Sequence, residues 1–208
     1  MRQEGTDRET PEGRVFILKG ALTLILAIGL QGSSLAHGAD KTSLADDLNG
    51  YAGFLGRSLK PEEISRLESA LSSARLEVRA LSAALLFRTN PKKYRADLAR
   101  YFTVQDYEAR ATGRTETIPQ DEFLARIKKL EGEFPGLAPP LMLVVSFLSF
   151  RDSNLWFRHE GQNISVARFF RGAFFAQAFK GTTTDPVVVA NELDETARKE
   201  YERGVSRE

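Results

Sequence analysis

The sequence predicts a mainly α-helical protein, built of antiparallel helical hairpins packed in one domain, with a short β-hairpin near 155–164. Three observations carry that expectation. Apolar residues recur at intervals of three and four through most of the chain from Ser43 onward, the period of a helix that buries one face. Most of these runs open on a residue suited to a helix start, among them Ser43, Pro61, Asn90-Pro91, Pro139-Pro140, Ser165 and Asp185-Pro186. The early connections are short, which favours neighbouring helices that fold back on each other. The 208 residues, 42% hydrophobic and 27% charged, suffice for a sizeable core and exclude a disordered tail, a collagen-like fibre or a multi-span membrane protein.

Residues 1–36 read as a targeting segment that precedes a single helical domain, 37–208. Within Val15 to Leu35 the apolar heart runs from Ala21 to Leu30. Ten residues at the helical rise cover about 15 Å, half of a bilayer core, so the stretch suits the apolar region of a secretory signal better than a membrane span. Lys19 supplies the positive flank, and Ser34-Leu35-Ala36 offers small residues for cleavage after Ala36. Glu4, Asp7, Glu9 and Glu12 make the preceding residues acidic, unlike an export signal, which points to a later translation start near Val15. An exported chain without cysteine suits the bacterial periplasm. The alternative is an uncleaved helix that anchors the protein to the inner membrane.

The first helix of the domain is expected from Ser43 to Gly56, with Leu44, Leu48, Tyr51 and Leu55 on one face and Gly50 and Gly53 inside it. Pro61 opens a second helix with Ile64, Leu67 and Leu71 inward. A third starts near Ser73 and carries Val78, Leu81 and Leu85, kept slender by Ala80, Ala83 and Ala84. Asn90-Pro91 opens a fourth, with Tyr94, Leu98, Tyr101 and Phe102 on one side and Lys92, Lys93, Arg95 and Arg100 on a solvated face. The run Val78-Arg79-Ala80-Leu81-Ser82-Ala83-Ala84-Leu85-Leu86 resembles the Val-Arg-x-x-Ala-Ala-x-x-Leu core of a HEAT-like repeat helix, with its alanine pair one residue late. With its flanking helices the resemblance spans about residues 61–103. It implies scaffolding through protein–protein contacts.

Val104 to Thr117 is polar and reads as a mobile loop. A fifth helix is expected from Pro119 to Gly132 with Phe123, Leu124, Ile127 and Leu130 on its apolar face, followed by a turn at Phe134-Pro135-Gly136. From Phe134 the chain is rich in phenylalanine: nine of its fourteen lie between Phe134 and Phe179. Leu141–Phe150 forms an apolar helix too short to cross a bilayer. Leu155–Arg158 and Gln162–Ile164 flank His159-Glu160-Gly161 as a hairpin turning at Gly161. Ser165 caps a helix reaching about Lys180 with Val166, Phe169, Phe170, Ala173 and Phe174 on one face. Phe175 and Phe179 fall on the other side, beside Arg168 and Arg171. The last helix carries Val189, Ala190, Leu193, Ala197 and Tyr201 inward, with Asp194/Arg198 and Glu195/Lys199 as pairs on its wet side.

Charge and motif narrow the function. Lys and Arg total 29 and Asp and Glu total 28, with the signs interleaved, so no nucleic-acid partner is expected. Without cysteine there is no thiolate chemistry and no Cys-ligated zinc; with two histidines most metal and triad sites are excluded too. No Gly-x-Ser-x-Gly, Ser-x-x-Lys, phosphate-loop, dinucleotide or His-Glu-x-x-His motif is present. The carboxylate pairs Asp46/Asp47, Glu62/Glu63 and Asp121/Glu122 sit in first turns of helices, where the macrodipole favours them. No catalytic residue, metal or cofactor is therefore expected. Two candidate binding regions stand out. One is Phe175 and Phe179 with Arg168 and Arg171, read either as a helix buried on both sides or as a contact groove. The other is Trp156, Arg158, His159 and Glu160 at the hairpin. The expected function is binding or scaffolding of another protein. A small exported enzyme acting on an envelope polymer or small molecule, and a membrane-surface protein, are the alternatives.

Overall fold

A computed structural model describes residues 39–206; residues 1–36, expected above to be a targeting segment, lie outside them. Helices dominate. In chain order they are α1 (Ala39–Asn49), α2 (Pro61–Ala70), α3 (Leu76–Thr89), α4 (Pro91–Phe102), α5 (Tyr107–Ala111), α6 (Gln120–Glu133), α7 (Pro139–Phe150), α8 (Val166–Ala178) and α9 (Pro186–Val205). Three short strands, β1 (Glu116–Ile118), β2 (Leu155–His159) and β3 (Gln162–Ser165), form one sheet in the order β1-β2-β3. The mainly helical architecture with a hairpin in the second half is the one the periodicity predicts.

Local chemistry places the helix starts. Pro61, Pro91, Pro139 and Pro186 each occupy the first helical turn, where a missing N–H costs nothing. The Asn90 side chain accepts from the Lys93 N–H, and Asp185 accepts from Val187 and Val188. The first helix departs from expectation. It begins before Ser43 and ends at Asn49, so Ser43 is interior and Gly50 and Gly53 lie beyond the helix. Two glycines within four residues weaken helix propagation, and the chain passes into a 3-10 turn at Ala52–Phe54 that buries Phe54 instead of Leu55. The Asn49 side chain then holds a distant turn, donating to the Gly136 carbonyl and accepting from the Ala138 N–H, both at 2.9 Å.

Residues 104–117 are also corrected: they are not simply a loop. Val104 and Asp106 are buried, α5 forms at Tyr107, and β1 pairs in parallel with β2, matching Thr117 to Trp156. The contacts that fix this segment are polar and tertiary, so helical periodicity carries no trace of them.

Phenylalanines join the layers. Phe102, at the end of α4, lies 5.1 Å from Phe147 of α7 and 5.5 Å from Phe174 of α8, with both pairs nearly parallel. Phe102 also meets Phe175 at 5.1 Å. A second cluster seats the sheet on α6, where Phe123 stacks on Phe157 at 4.1 Å while Phe169 of α8 meets both rings edge-on. Arg88, buried at the end of α3, donates to the carbonyls of Ala178, Phe54 and Arg57, tying the end of α8 to the turn after α1.

Candidate functional site

The two candidate regions resolve differently once burial is known. Phe175 is wholly buried and Phe179 is 2% exposed, so a contact groove on these rings is ruled out and the reading of a helix buried on both sides holds. Phe175 packs on Phe102 and Phe179, and Phe179 on Phe87, so α3 and α4 cover this side.

Arg168 and Arg171, one turn apart on α8, point inward as well. Arg168 donates to Asp194 at 2.8 Å and to Asp106 at 2.7 Å; Arg171 donates to Asp194 at 2.9 Å and to the Phe102 carbonyl at 3.2 Å. Asp194 thus lies against α8 and not on the wet side of α9, where Arg198 pairs with Glu195 and Glu202. The two guanidiniums respond in opposite senses. Burial opposes the charge on Arg168, but Asp194 and Asp106 together outweigh it and raise its pKa. Burial of Arg171 outweighs its single carboxylate, and repulsion from Arg168 adds to it, so its pKa falls.

From this buried clasp a ladder of rings and guanidiniums runs outward. Tyr107 donates its hydroxyl to the Asp194 carbonyl at 2.8 Å and stacks on Tyr201. Arg168 lies over one part of the ladder, 5.5 Å from the Tyr107 ring, and Arg110 lies 6.0 Å from that ring. Arg110 in turn lies over the indole of Trp156 at 5.5 Å. Four buried side-chain polar atoms of this cluster, Asp106 Oδ2, Arg168 Nε, Arg171 Nε and Trp156 Nε1, find no hydrogen-bond partner among the described residues.

The sheet divides the hairpin set. Strand alternation sends Leu155, Phe157 and His159 to the face under α6, and Trp156 and Arg158 to the opposite, outer face. His159 Nδ1 lies 2.9 Å from Gln120 Oε1 at the start of α6, which makes it a fastening between helix and sheet. Glu160 and Gly161 both have positive φ, so the two-residue turn has the type I′ form. Its curl leaves Glu160 4.0 Å from His159 and largely exposed. Trp156 is half-buried, and Arg158 is exposed with no ion pair among the described residues. Of the residues singled out at the hairpin, Trp156 and Arg158 therefore share a surface, while His159 and Glu160 do not join it. Sequence reasoning missed Asp106, Tyr107, Arg110 and the inward role of Asp194. Only Asp194, flanking the apolar stripe beside Leu193, left any signal.

Among the described residues no group of three or more His, Cys, Asp or Glu gathers as metal ligands would, and no helix is long and apolar enough to cross a membrane. No protein-family model, curated protein or solved structure matches this chain.

Proposed function

We propose that this is an exported helical binding protein that works through protein–protein contacts, made on the outer face of its sheet around Trp156. The observation that carries the reading is the exposed Arg110 guanidinium laid over the half-buried Trp156 ring, with Arg158 two residues along the same face. Tryptophan and arginine are enriched among the residues that dominate protein contacts, each offering a large flat surface. The clasp of Asp106 and Tyr107 holds α5 in place before any partner arrives, so little ordering is lost on binding. The resemblance of 61–103 to a HEAT-like unit points the same way. Export rests on the apolar stretch Ala21 to Leu30 and on Ser34-Leu35-Ala36.

Two experiments test this. Cell fractionation with N-terminal sequencing should find a periplasmic chain starting at His37; a cytoplasmic chain that retains the segment would overturn export. A photo-crosslinker at position 158 should capture a protein that mass spectrometry identifies, and Arg110→Glu should abolish the capture. Equal capture from position 129 on α6, or none from 158, would overturn the binding surface.

A further inference from the structure

We infer that the outer face of the sheet takes an acidic segment of a partner protein, whose carboxylates meet Arg110 and Arg158 on either side of Trp156. The inference rests on the binding surface proposed above and adds the chemistry of its occupant. Several arginines of the described residues are neutralised by a carboxylate, while Arg66, like Arg110, lies over rings, those of Tyr51 and Phe54. Arg57 holds Glu63, Arg95 holds Glu192, and Arg126, on the helix over the inner face, holds both Glu116 and Glu122. What sets the outer face apart is that two cations flank one tryptophan-bearing strand. Among the described residues Arg110 meets the rings of Tyr107 and Trp156 and no carboxylate, and Arg158 has no ion pair. The neighbours of Arg158 across the hairpin are neutral: Asn163 pairs with it, and Thr117 and Ser165 flank Trp156.

A guanidinium lying over an indole keeps its edge free, and that edge carries parallel N–H donors matched to a carboxylate. Contact with the ring also removes part of its hydration, so a carboxylate reaching that edge displaces less water. The helix that bears Arg110 is held from below, since Asp106 accepts from Arg168 and Tyr107 donates to Asp194. Arg110 is thus presented on a fixed element over Trp156, and Arg158 follows two residues along the same strand face. An acidic peptide neutralises both cations at once, whereas a neutral one leaves both unpaired.

Trp156 is the one tryptophan in the chain, so its emission reports on this face alone. The full chain would be titrated with an aromatic-free peptide of alternating glutamate and serine, with its glutamine counterpart as control. The expected result is a saturable change in emission with the glutamate peptide only, weakened by added salt. Arg110→Glu and Arg158→Glu should each lower the affinity by about tenfold or more, because each puts a like charge where a carboxylate docks. Lys129→Glu, on α6, should leave it unchanged, and circular dichroism should show every variant folded. A response to both peptides alike, or one insensitive to the arginine variants, overturns the inference. So does a response to phosphatidylglycerol vesicles without one to the peptide, or an emission that depends on protein concentration alone. If the glutamate peptide is silent while position 158 still crosslinks a partner, the acidic occupant is wrong and the binding surface stands.

Discussion

Asp194 carries more of the architecture than any other single carboxylate, since it pairs with both Arg168 and Arg171 where α9 meets α8. Arg171 is 2% exposed, and its remaining partner is one carbonyl. Removing the carboxylate strands that charge, so Asp194→Ala should cost about 3–5 kcal/mol, measured as a lower urea midpoint at unchanged slope. Replacing the pair together by apolar groups, Arg171→Met with Asp194→Leu, should cost less, because the Arg171 charge leaves with the carboxylate and Arg168 keeps Asp106 as its partner. The sequence marks Arg168 and Arg171 as notable but for a different reason, as company for exposed rings. Its spacing rules see pairs only within one helix, such as Glu195/Lys199, which does form at 3.2 Å. Asp194 also stands four residues from an arginine, Arg198, yet it turns to a helix that began 28 residues earlier. Which of two cations a carboxylate chooses depends on what the fold brings alongside, and no local spacing records that.

The elements themselves are far more legible, because their starts depend on near neighbours. Pro61, Asn90-Pro91, Pro139, Ser165 and Asp185-Pro186 all act where the sequence puts them. What fails to show is the short segment whose order comes from elsewhere: α5 and β1 have too few residues for a period and are held by Asp106, Tyr107 and the pairing to β2. At the start of α2 the chemistry is local enough to give a pH prediction. Glu63 accepts two hydrogen bonds from Arg57, at 2.6 and 2.9 Å, and one from the Lys60 N–H at 2.8 Å. These contacts, Arg57 first, pull its carboxyl down to about 2. A folded-state value below that of a free glutamate means that the contribution is complete above about pH 5 and disappears as the pH falls toward 2. Carbon-detected titration by NMR should therefore place Glu63 near pH 2 in the wild type. In Arg57→Ala it should return much of the way toward the ordinary glutamate range, while an unmoved midpoint would show that the backbone donor alone sets it.

Across the folded unit, Phe102 is one of several residues that join the two halves. It closes the helical hairpin of α3 and α4, yet its ring contacts are with Phe147, Phe174 and Phe175 from the phenylalanine-rich half. Its carbonyl also accepts from Arg171, so backbone and side chain of one residue bridge the halves. Truncation to Phe102→Ala removes the ring and leaves a cavity among three others, a loss of about 3–5 kcal/mol out of the 5–15 kcal/mol typical of a domain. Unfolding should stay a single transition, with helical signal and Trp156 fluorescence changing together, because Arg88 and Phe179 still join the same halves. Two separated transitions would show that the halves are independent and that Phe102 alone couples them. Phe175→Asp goes further. A carboxylate at that wholly buried position takes the place of a ring packed on Phe102 and Phe179, and pays its desolvation where those rings offer it no hydrogen bond. That variant should fail to fold at neutral pH, and Phe175→Leu, which keeps the site apolar, should fold with reduced stability. The contrast separates a core residue from a contact residue, since a ring needed only for binding would tolerate the charge without loss of helix.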